Sequence, residues 1–348
     1  MKLRNRISFV ALTGVVLALG VSACGGSSDD SSGSSDSGSG GGGATLSLVA
    51  YSTPQVVYDE VIPAFKKTTA GADTNFKSSY GASGEQSRAV EAGLSADVVA
   101  FSLEPDVTRL VKAKKVAEDW NQNQYKGFVS NSLVSFVVRK GNPKNIKTWD
   151  DLLKPGVNVL TPNPFTSGAA KWNLLGGYVA AGGAKDPKAG LAYLDELLSK
   201  HVKVQDKSGR EALQNFVSGN GDVLLSYEYE AITAQKKGEK NIELVQPQQT
   251  ILIQNPIATT LTSKDPEKAK AFVDYAWSKP AQEVFASWGY RPVNQEVFDE
   301  HKADFPIPTD LYTIDDLGGW SKVNDELFDP EKGSVAAIEN KNGVSTEK

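Results

Sequence analysis

The sequence predicts an α/β fold of two lobes, in which each lobe has a central, mostly parallel sheet flanked by helices. Three observations support this prediction: strand-like and helix-like runs alternate, two such α/β units are joined by long strands, and 348 residues suffice for two cores. TLSLVAY (45–51), TNFKSSYG and SADVVAFSL (95–103) have the composition of strands, and each is followed by a helical run. This alternation is typical of a parallel sheet covered by helices.

The second half of the chain continues the alternation. SLVSFVVRKGNP (132–143) predicts a long strand, WDDLLKPG a helix that ends at Pro-Gly, VNVLTPNP a strand, and AAKWNLLGGYVAAGG a helix. PIATTLTS (256–263) predicts a strand, and two helices split at Pro280 follow it. We therefore assign residues 45–138 and 256–297 to the first lobe and residues 139–255 to the second.

The N-terminus has the features of a processing segment. Within residues 1–23, the basic stretch MKLRNR precedes the short apolar stretch ISFVALTGVVLALG. VSAC (21–24) resembles the end of a bacterial lipoprotein signal, which predicts lipidation of Cys24 and a membrane anchor on the extracytoplasmic face. A short transmembrane helix is the alternative. Residues 24–44 combine this cysteine with a Gly/Ser/Asp-rich segment that predicts a flexible tether.

The charge balance argues against nucleic acid as a partner. The formal net charge is −5, and removal of residues 1–23, which carry three positive charges and no negative one, would leave −8. Binding to nucleic acid depends on Lys and Arg, so an acidic chain is a poor candidate for it.

Because Cys24 is the only cysteine, the body has no thiol for disulfides, metal ligation or nucleophilic catalysis. Signatures such as HExxH or Gly-x-Ser-x-Gly are also absent, and we predict neither an enzyme nor a cofactor.

Three Ser-Gly pairs stand between a strand-like and a helix-like run: Ser83-Gly84, Ser167-Gly168 and Ser208-Gly209. One interpretation is that all three serines are ordinary helix caps, since Gln86 and Glu211 have capping-box spacing from the first and third serine. The other is that three helix N-termini converge, so that their free N–H groups and dipoles surround one small anion.

Longer motifs identify a resemblance to a known family. Five stretches of the chain resemble the sulfate-binding proteins of bacterial sulfate/thiosulfate ABC transporters. They are SYGASGEQ, GNPKNIKTWDDLLKPGVNVLTPNP, TSGAAKWN, GDVLL through SYEYEA, and TIDDLGGW. The resemblance covers residues 46–325. It implies a periplasmic-binding-protein (type II) fold that closes over sulfate, a monomer, and permease subunits as partners. It also implies that uncharged donors bind the anion at Ser83, Ser167, Gly168, Ala169, Gly209 and Tyr227.

Two departures from the family bear on the ligand. Tyr227 stands where members of the family usually have Trp, and a phenol O–H donates from a different depth than an indole N–H. In the first loop, Ser52 and Thr53 either add hydroxyl donors or cap the following helix. Thiosulfate, molybdate, tungstate and phosphate remain alternatives to sulfate.

Other polar and aromatic residues near these motifs have structural interpretations. Phosphate would require an acceptor, and Asp206 and Glu228 are the nearest carboxylates in sequence, although a surface or structural role is favoured for both. Lys171, Arg210 and Arg88 could form a direct salt bridge to the anion, but we expect them on outer helical faces or paired with carboxylates. We expect core positions for Trp149 and Trp172. Residues 298–330 are expected to pack across both lobes, and residues 331–348 to form a flexible tail.

Overall fold

Strands and helices alternate through the part of the chain that the computed structural model describes, residues 43–347. The strands are β1 (Ala44–Tyr51), β2 (Thr74–Gly81), β3 (Val98–Ala100), β4 (Phe128–Arg139), β5 (Val159–Pro162), β6 (Val202–Asp206), β7 (Val223–Tyr227), β8 (Ile242–Val245), β9 (Gln249–Thr259), β10 (Arg291–Pro292) and β11 (Asp310–Tyr312). The helices are α1 (Gln55–Lys66), α2 (Ser83–Glu91), α3 (Glu104–Lys112), α4 (Gly168–Ala180), α5 (Pro187–Glu196), α6 (Gly209–Val217), α7 (Glu228–Lys236), α8 (Pro266–Ala276), α9 (Lys279–Ser287), α10 (Gln295–Glu300), α11 (Gly319–Val323) and α12 (Ser334–Lys341).

The strands lie side by side in the order β2-β1-β3-β9-β4-β7-β5-β6. Strands β2, β1 and β3 pair in parallel at one end, and β7, β5 and β6 pair in parallel at the other. The two long central strands, β9 and β4, run antiparallel to each other and to their outer neighbours. The α/β class is therefore confirmed, with two antiparallel strands joining two parallel groups. The lobe boundaries at residues 138, 255 and 297 stay a prediction.

Most of the predicted elements are present, with local differences. WDDLL is a 3₁₀ turn, Trp149–Leu153, rather than a full helix, because Pro155 and Gly156 follow at once and a capping box between Thr148 and Asp151 fixes its start. The third strand is confined to Val98–Ala100. Strand β9 begins at Gln249, well before the predicted start at Pro256.

Helix α4 is buried on nearly every side and packs against the predicted core tryptophans. Trp172 is fully buried and Trp149 nearly so, as expected from the sequence. A methyl group built on Gly176 would lie 2.8 Å from the Trp149 ring, so glycine is required for this close approach. The same methyl group would lie 3.1 Å from Val134 in β4, so the helix packs closely on the sheet.

The C-terminal residues differ from the expected flexible tail. Residues 334–341 form α12, in which Val335 and Ala336 are buried, and its Glu339 accepts two hydrogen bonds from Gln205 at 2.9 Å. The prediction of a flexible tail is therefore wrong, because these small apolar residues form one helical face that packs on the body. The preceding segment packs through Trp320 against Trp172, with ring centroids 4.7 Å apart.

Some predictions concern residues beyond this description. The signal segment (1–23), Cys24 and the tether up to residue 42 lie outside the described residues. Within residues 43–347, no helix has the length and apolar character needed to cross a membrane, and no three His, Cys, Asp or Glu side chains are grouped so that they could hold a metal ion.

Candidate functional site

Three helices begin where the sequence predicts, each directly after a parallel strand. Helix α2 follows β2, α4 follows β5, and α6 follows β6. Ligands in open α/β sheets bind beyond the carboxyl ends of such strands, beside the helix N-termini. The three Ser-Gly pairs are therefore at positions where a ligand site is usual.

The three helix N-termini lie next to one another. A methyl group built on Gly84, in α2, would lie 3.1 Å from the carbonyl oxygen of Thr166, which immediately precedes the start of α4. A methyl group on Gly209, the first residue of α6, would lie 3.7 Å from Cβ of Ala169 in α4. The start of α4 thus contacts the starts of both other helices, which is the arrangement that the anion interpretation requires.

Two of the three N-termini have no side-chain cap within the described residues. Ser83 and Ser167, at the starts of α2 and α4, are 3% and 4% exposed, yet neither side chain caps its helix. At α6, by contrast, Ser208 Oγ accepts a hydrogen bond from the N–H of Glu211 at 3.2 Å. The first N–H groups of a helix have no intrahelical acceptor, and a buried, uncapped start therefore leaves donors without partners. The capping interpretation holds for Ser208 alone.

The Ser83 side chain has a structural role instead. Its Oγ donates to Asp106 Oδ2 at 2.6 Å and accepts from the N–H of Ser102 at 3.0 Å. Gln86 does not complete a capping box with it, because the Gln86 side chain bonds Ser79. The Ser83 backbone N–H is therefore the group that remains available to a ligand between the helices.

Tyr227 ends β7 and is fully buried. Its hydroxyl has no hydrogen-bond partner within residues 43–347. Burial raises the pKa of Tyr227 well above its ordinary value, and the nearby Ser102 and Asn255 side chains act weakly in the opposite direction. The phenol therefore stays protonated at physiological pH and keeps a donor hydrogen available.

The first loop does not cap α1. That helix begins after Pro54 with no side-chain cap, so the capping interpretation of Ser52 and Thr53 is wrong. Thr53 Oγ1 instead lies 2.7 Å from the Tyr229 hydroxyl, and the carbonyl oxygen of Ser52 accepts a hydrogen bond from the Arg210 guanidinium. Arg210 thus bonds a main-chain oxygen of the first loop, which differs from the expected outer face or carboxylate partner.

The other polar residues considered from sequence have structural partners. Asp206 accepts from Asn215 Nδ2 at 3.2 and 3.3 Å, and the buried Glu228 forms an ion pair with Arg291 at 2.5 Å. Both were expected to be structural or surface charges. Lys171 donates to Asn324 Oδ1 at 2.7 Å. The Arg88 pKa is lowered by burial and by the neighbouring Arg109.

Glu230 was missed in the sequence although it lies beside the site. It is 4% exposed, and Ser226 Oγ donates to its Oε2, whereas Oε1 has no partner among the described residues. A methyl group on Gly209 would lie 3.0 Å from that free oxygen. Burial raises the pKa of Glu230 to about 7, against the opposing effects of the Ser226 hydrogen bond and the Arg210 charge. The sequence signal that could have identified Glu230 is its place in SYEYE, two residues after Glu228, which was considered as an acceptor for phosphate.

A cleft opens beside these residues. It encloses about 780 Å³ between α1, α6 and α7, and Thr53, Arg210, Tyr229 and Glu230 contribute to its wall. Arg210 and Glu230 therefore line the cleft and also lie at the start of α6.

Comparisons with known proteins identify the family of the chain. Residues 46–291 match the family model described as "Bacterial extracellular solute-binding protein". A sulfate-binding protein of Synechococcus elongatus is 40% identical over 93% of this chain and 94% of its own length. A thiosulfate-binding protein of Escherichia coli is 35% identical over 79% of this chain and 85% of its own length.

A solved structure gives the same result. The sulfate-binding protein SubI from Mycobacterium tuberculosis H37Rv superposes with a TM-score of 0.80 at 47% identity, covering 82% of this chain and all of that one. The chain therefore belongs to the bacterial extracellular solute-binding proteins, in the group that contains the sulfate-binding proteins.

Proposed function

We propose that this protein captures sulfate in the space where the starts of α2, α4 and α6 meet, and delivers it to an ABC importer. The observation that carries the proposal is that α2 and α4 begin side by side, buried and without side-chain caps. Backbone N–H groups left without acceptors in the interior are costly unless a ligand accepts from them. A small anion satisfies them and also interacts favourably with three helix dipoles.

The donors proposed are those implied by the family resemblance. They are the N–H groups of Ser83, Gly168, Ala169 and Gly209, the Ser167 hydroxyl, and the Tyr227 hydroxyl, with Ser52 and Thr53 at the edge. Each hydrogen bond to a charged group contributes about 1.5–3 kcal/mol, so several such donors offset the cost of removing a dianion from water. Sulfate carries no proton near neutral pH and accepts from every donor, which fits a set of this kind.

The location and partners follow from the same proposal. We infer that residues 1–23 are a signal peptide and that lipidated Cys24 anchors the protein to the extracytoplasmic face of the membrane. The tether of residues 24–44 then holds the body near the permease subunits. We propose a monomer that works without a cofactor or a catalytic step, and in which the lobes assigned above close over the ligand.

Isothermal titration calorimetry with a panel of oxyanions tests this proposal. At pH 8, sulfate is expected to bind saturably at one site per chain, and to raise the melting temperature according to RT ln(1 + [L]/Kd). Equal binding of phosphate, or no binding of any anion in the panel, would contradict it. Thiosulfate is the alternative ligand because two relatives are thiosulfate-binding proteins by name, and a lower Kd for thiosulfate than for sulfate would favour it. Molybdate and tungstate complete the panel.

A further inference from the structure

Ser102 lies between two of the three helix N-termini. It follows strand β3 and is 1% exposed. Its N–H donates to Ser83 Oγ at the start of α2. On the other side, a methyl group built on Gly168 at the start of α4 would overlap with Ser102 Oγ. The Ser102 hydroxyl is therefore in contact with the first residue of α4.

All backbone groups of Ser102 are engaged, which fixes its position. Its carbonyl oxygen accepts from Trp172 Nε1 at 2.8 Å and from Asn255 Nδ2 at 3.4 Å. The hydroxyl, in contrast, has no partner among residues 43–347. The Tyr227 hydroxyl, which also lacks a partner there, is close enough for Ser102 to affect its pKa, although burial has the larger effect. Two buried hydroxyls without a partner of hydrogen-bonding geometry thus lie near each other, and that of Ser102 contacts a helix N-terminus that has no cap.

A buried hydroxyl without an acceptor lowers the stability of a ligand-free protein. An unsatisfied buried donor loses its hydrogen bonds to water and gains none in return. Alanine would fill most of the same space without that cost. The presence of a serine here is explained if a ligand supplies the missing acceptor.

We propose that Ser102 is a further ligand-binding residue, whose hydroxyl donates to an oxygen of the anion held by α2, α4 and α6. This inference rests on the proposed function and adds a donor to it. Because the hydroxyl contacts Gly168, it donates from the side of α4, whereas the backbone N–H groups donate along the helix axes. Together with Tyr227, it supplies side-chain donors at a site otherwise built from the main chain.

The substitution Ser102→Ala separates a binding role from a structural one, because the two roles predict opposite signs. If the hydroxyl serves the ligand, the variant without sulfate melts at the same temperature as the parent protein or higher. Its Kd for sulfate then rises roughly 10- to 100-fold, as expected for one lost hydrogen bond to a charged group. If the hydroxyl only supports the fold, through Tyr227 for example, the variant melts lower and keeps its affinity.

Ser135→Ala is the matched control. Ser135 is also a fully buried serine, but its Oγ donates to Gln246 Oε1 at 2.5 Å. We expect this variant to melt lower than the parent and to bind sulfate with the same Kd. Calorimetric titration and thermal melting, with and without sulfate, are applied to the parent and both variants.

The outcomes are distinguishable. If the parent protein binds sulfate and Ser102→Ala binds it equally well, the role of Ser102 is overturned and the proposed function stands. If the parent protein binds no sulfate, the proposed function itself is overturned, and the role of Ser102 with it. A weaker Kd for Ser102→Ala, with an unchanged or higher melting temperature in the absence of ligand, supports both.

Discussion

Ser83 Oγ donates a hydrogen bond to Asp106 Oδ2 at 2.6 Å, and Arg109 Nη1 donates to the other oxygen of the same carboxylate at 3.1 Å. The Ser83 hydroxyl is thus used to hold α2 against α3, and only the backbone N–H remains for a ligand. We predict that Ser83→Ala lowers the free energy of unfolding by about 1–2 kcal/mol, since it leaves the buried Asp106 short of a donor. Denaturant titration measures this loss, and the Kd for sulfate should change much less than tenfold.

Ser83→Pro tests the backbone N–H directly. Ser83 is the first residue of α2, where proline is tolerated, and Ala82 before it is already extended at φ −62° and ψ 130°. Proline therefore removes the N–H while the helix is retained. We expect sulfate to bind at least tenfold more weakly to this variant than to Ser83→Ala, the matched control that also lacks the hydroxyl. Equal affinities of the two variants would remove this N–H from the site.

Ser167→Asp places a negative charge at the start of α4. A carboxylate there would itself accept from the free N–H groups and would repel a dianion in a site with little water. We predict loss of measurable sulfate binding by calorimetry, together with a folded protein that melts at or above the parent temperature. Ser278→Asp is the control, because it makes the same change at the N-cap of α9, which also lacks a side-chain cap. Retained sulfate affinity in Ser167→Asp would exclude Ser167 from the site.

Tyr227→Phe removes one buried hydroxyl and little volume. The ligand-free protein should be as stable as the parent or more stable, because that hydroxyl has no partner in the described structure. The Kd for sulfate should rise roughly tenfold if the hydroxyl donates to the anion. Tyr290→Phe is the control, since the Tyr290 hydroxyl is also buried without a partner in the described structure. The Tyr290 ring stacks on that of Tyr229, with ring centroids 3.7 Å apart. An unchanged Kd in Tyr227→Phe would argue against a role for the phenol.

The sequence was sufficient to predict the order of the elements, because their signals are local. The alternating apolar runs, Pro280 in the first turn of α9, and the Ser-Gly pairs are all signals that act over a few residues. The antiparallel course of β4 and β9 was not predicted, because strand direction depends on pairing between distant segments. Helix α12 was missed because its short apolar face is recognisable only when the surface that covers it is known.

Part of the candidate site was also predictable from the sequence, because its signals are local. The starts of α2, α4 and α6 are visible as Ser-Gly motifs, and the resemblance to a family supplied Tyr227. Ser102 and Glu230 carry no motif of their own. They belong to the site only because β3 and α7 bring them beside Gly168 and Gly209, which is a consequence of the fold. The partners of Ser83 and Arg210 were likewise beyond sequence reasoning, since each bonds a residue from another element.

The buried Glu339 should make the stability depend on pH. Burial raises its pKa to about 7, against the opposing hydrogen bond from Gln205, whereas the ordinary value is 4.5. Glu230 has a raised pKa for the same reason. Between pH 4.5 and 7 the folded protein therefore holds protons that the unfolded chain has released. The free energy of unfolding should fall as the pH rises through this window, by roughly 1.4 kcal/mol per pH unit for each such group.

Glu339→Gln isolates one of these contributions. Glutamine resembles the protonated carboxyl group in shape and keeps a hydrogen bond to Gln205, but it does not titrate. Urea unfolding from pH 5 to pH 8 should show a smaller decline in this variant than in the parent protein. Glu267→Gln, which removes an exposed carboxyl group from α8, should leave the decline unchanged. Parallel profiles for the parent protein and Glu339→Gln would show that Glu339 is ionised in the folded protein throughout this range.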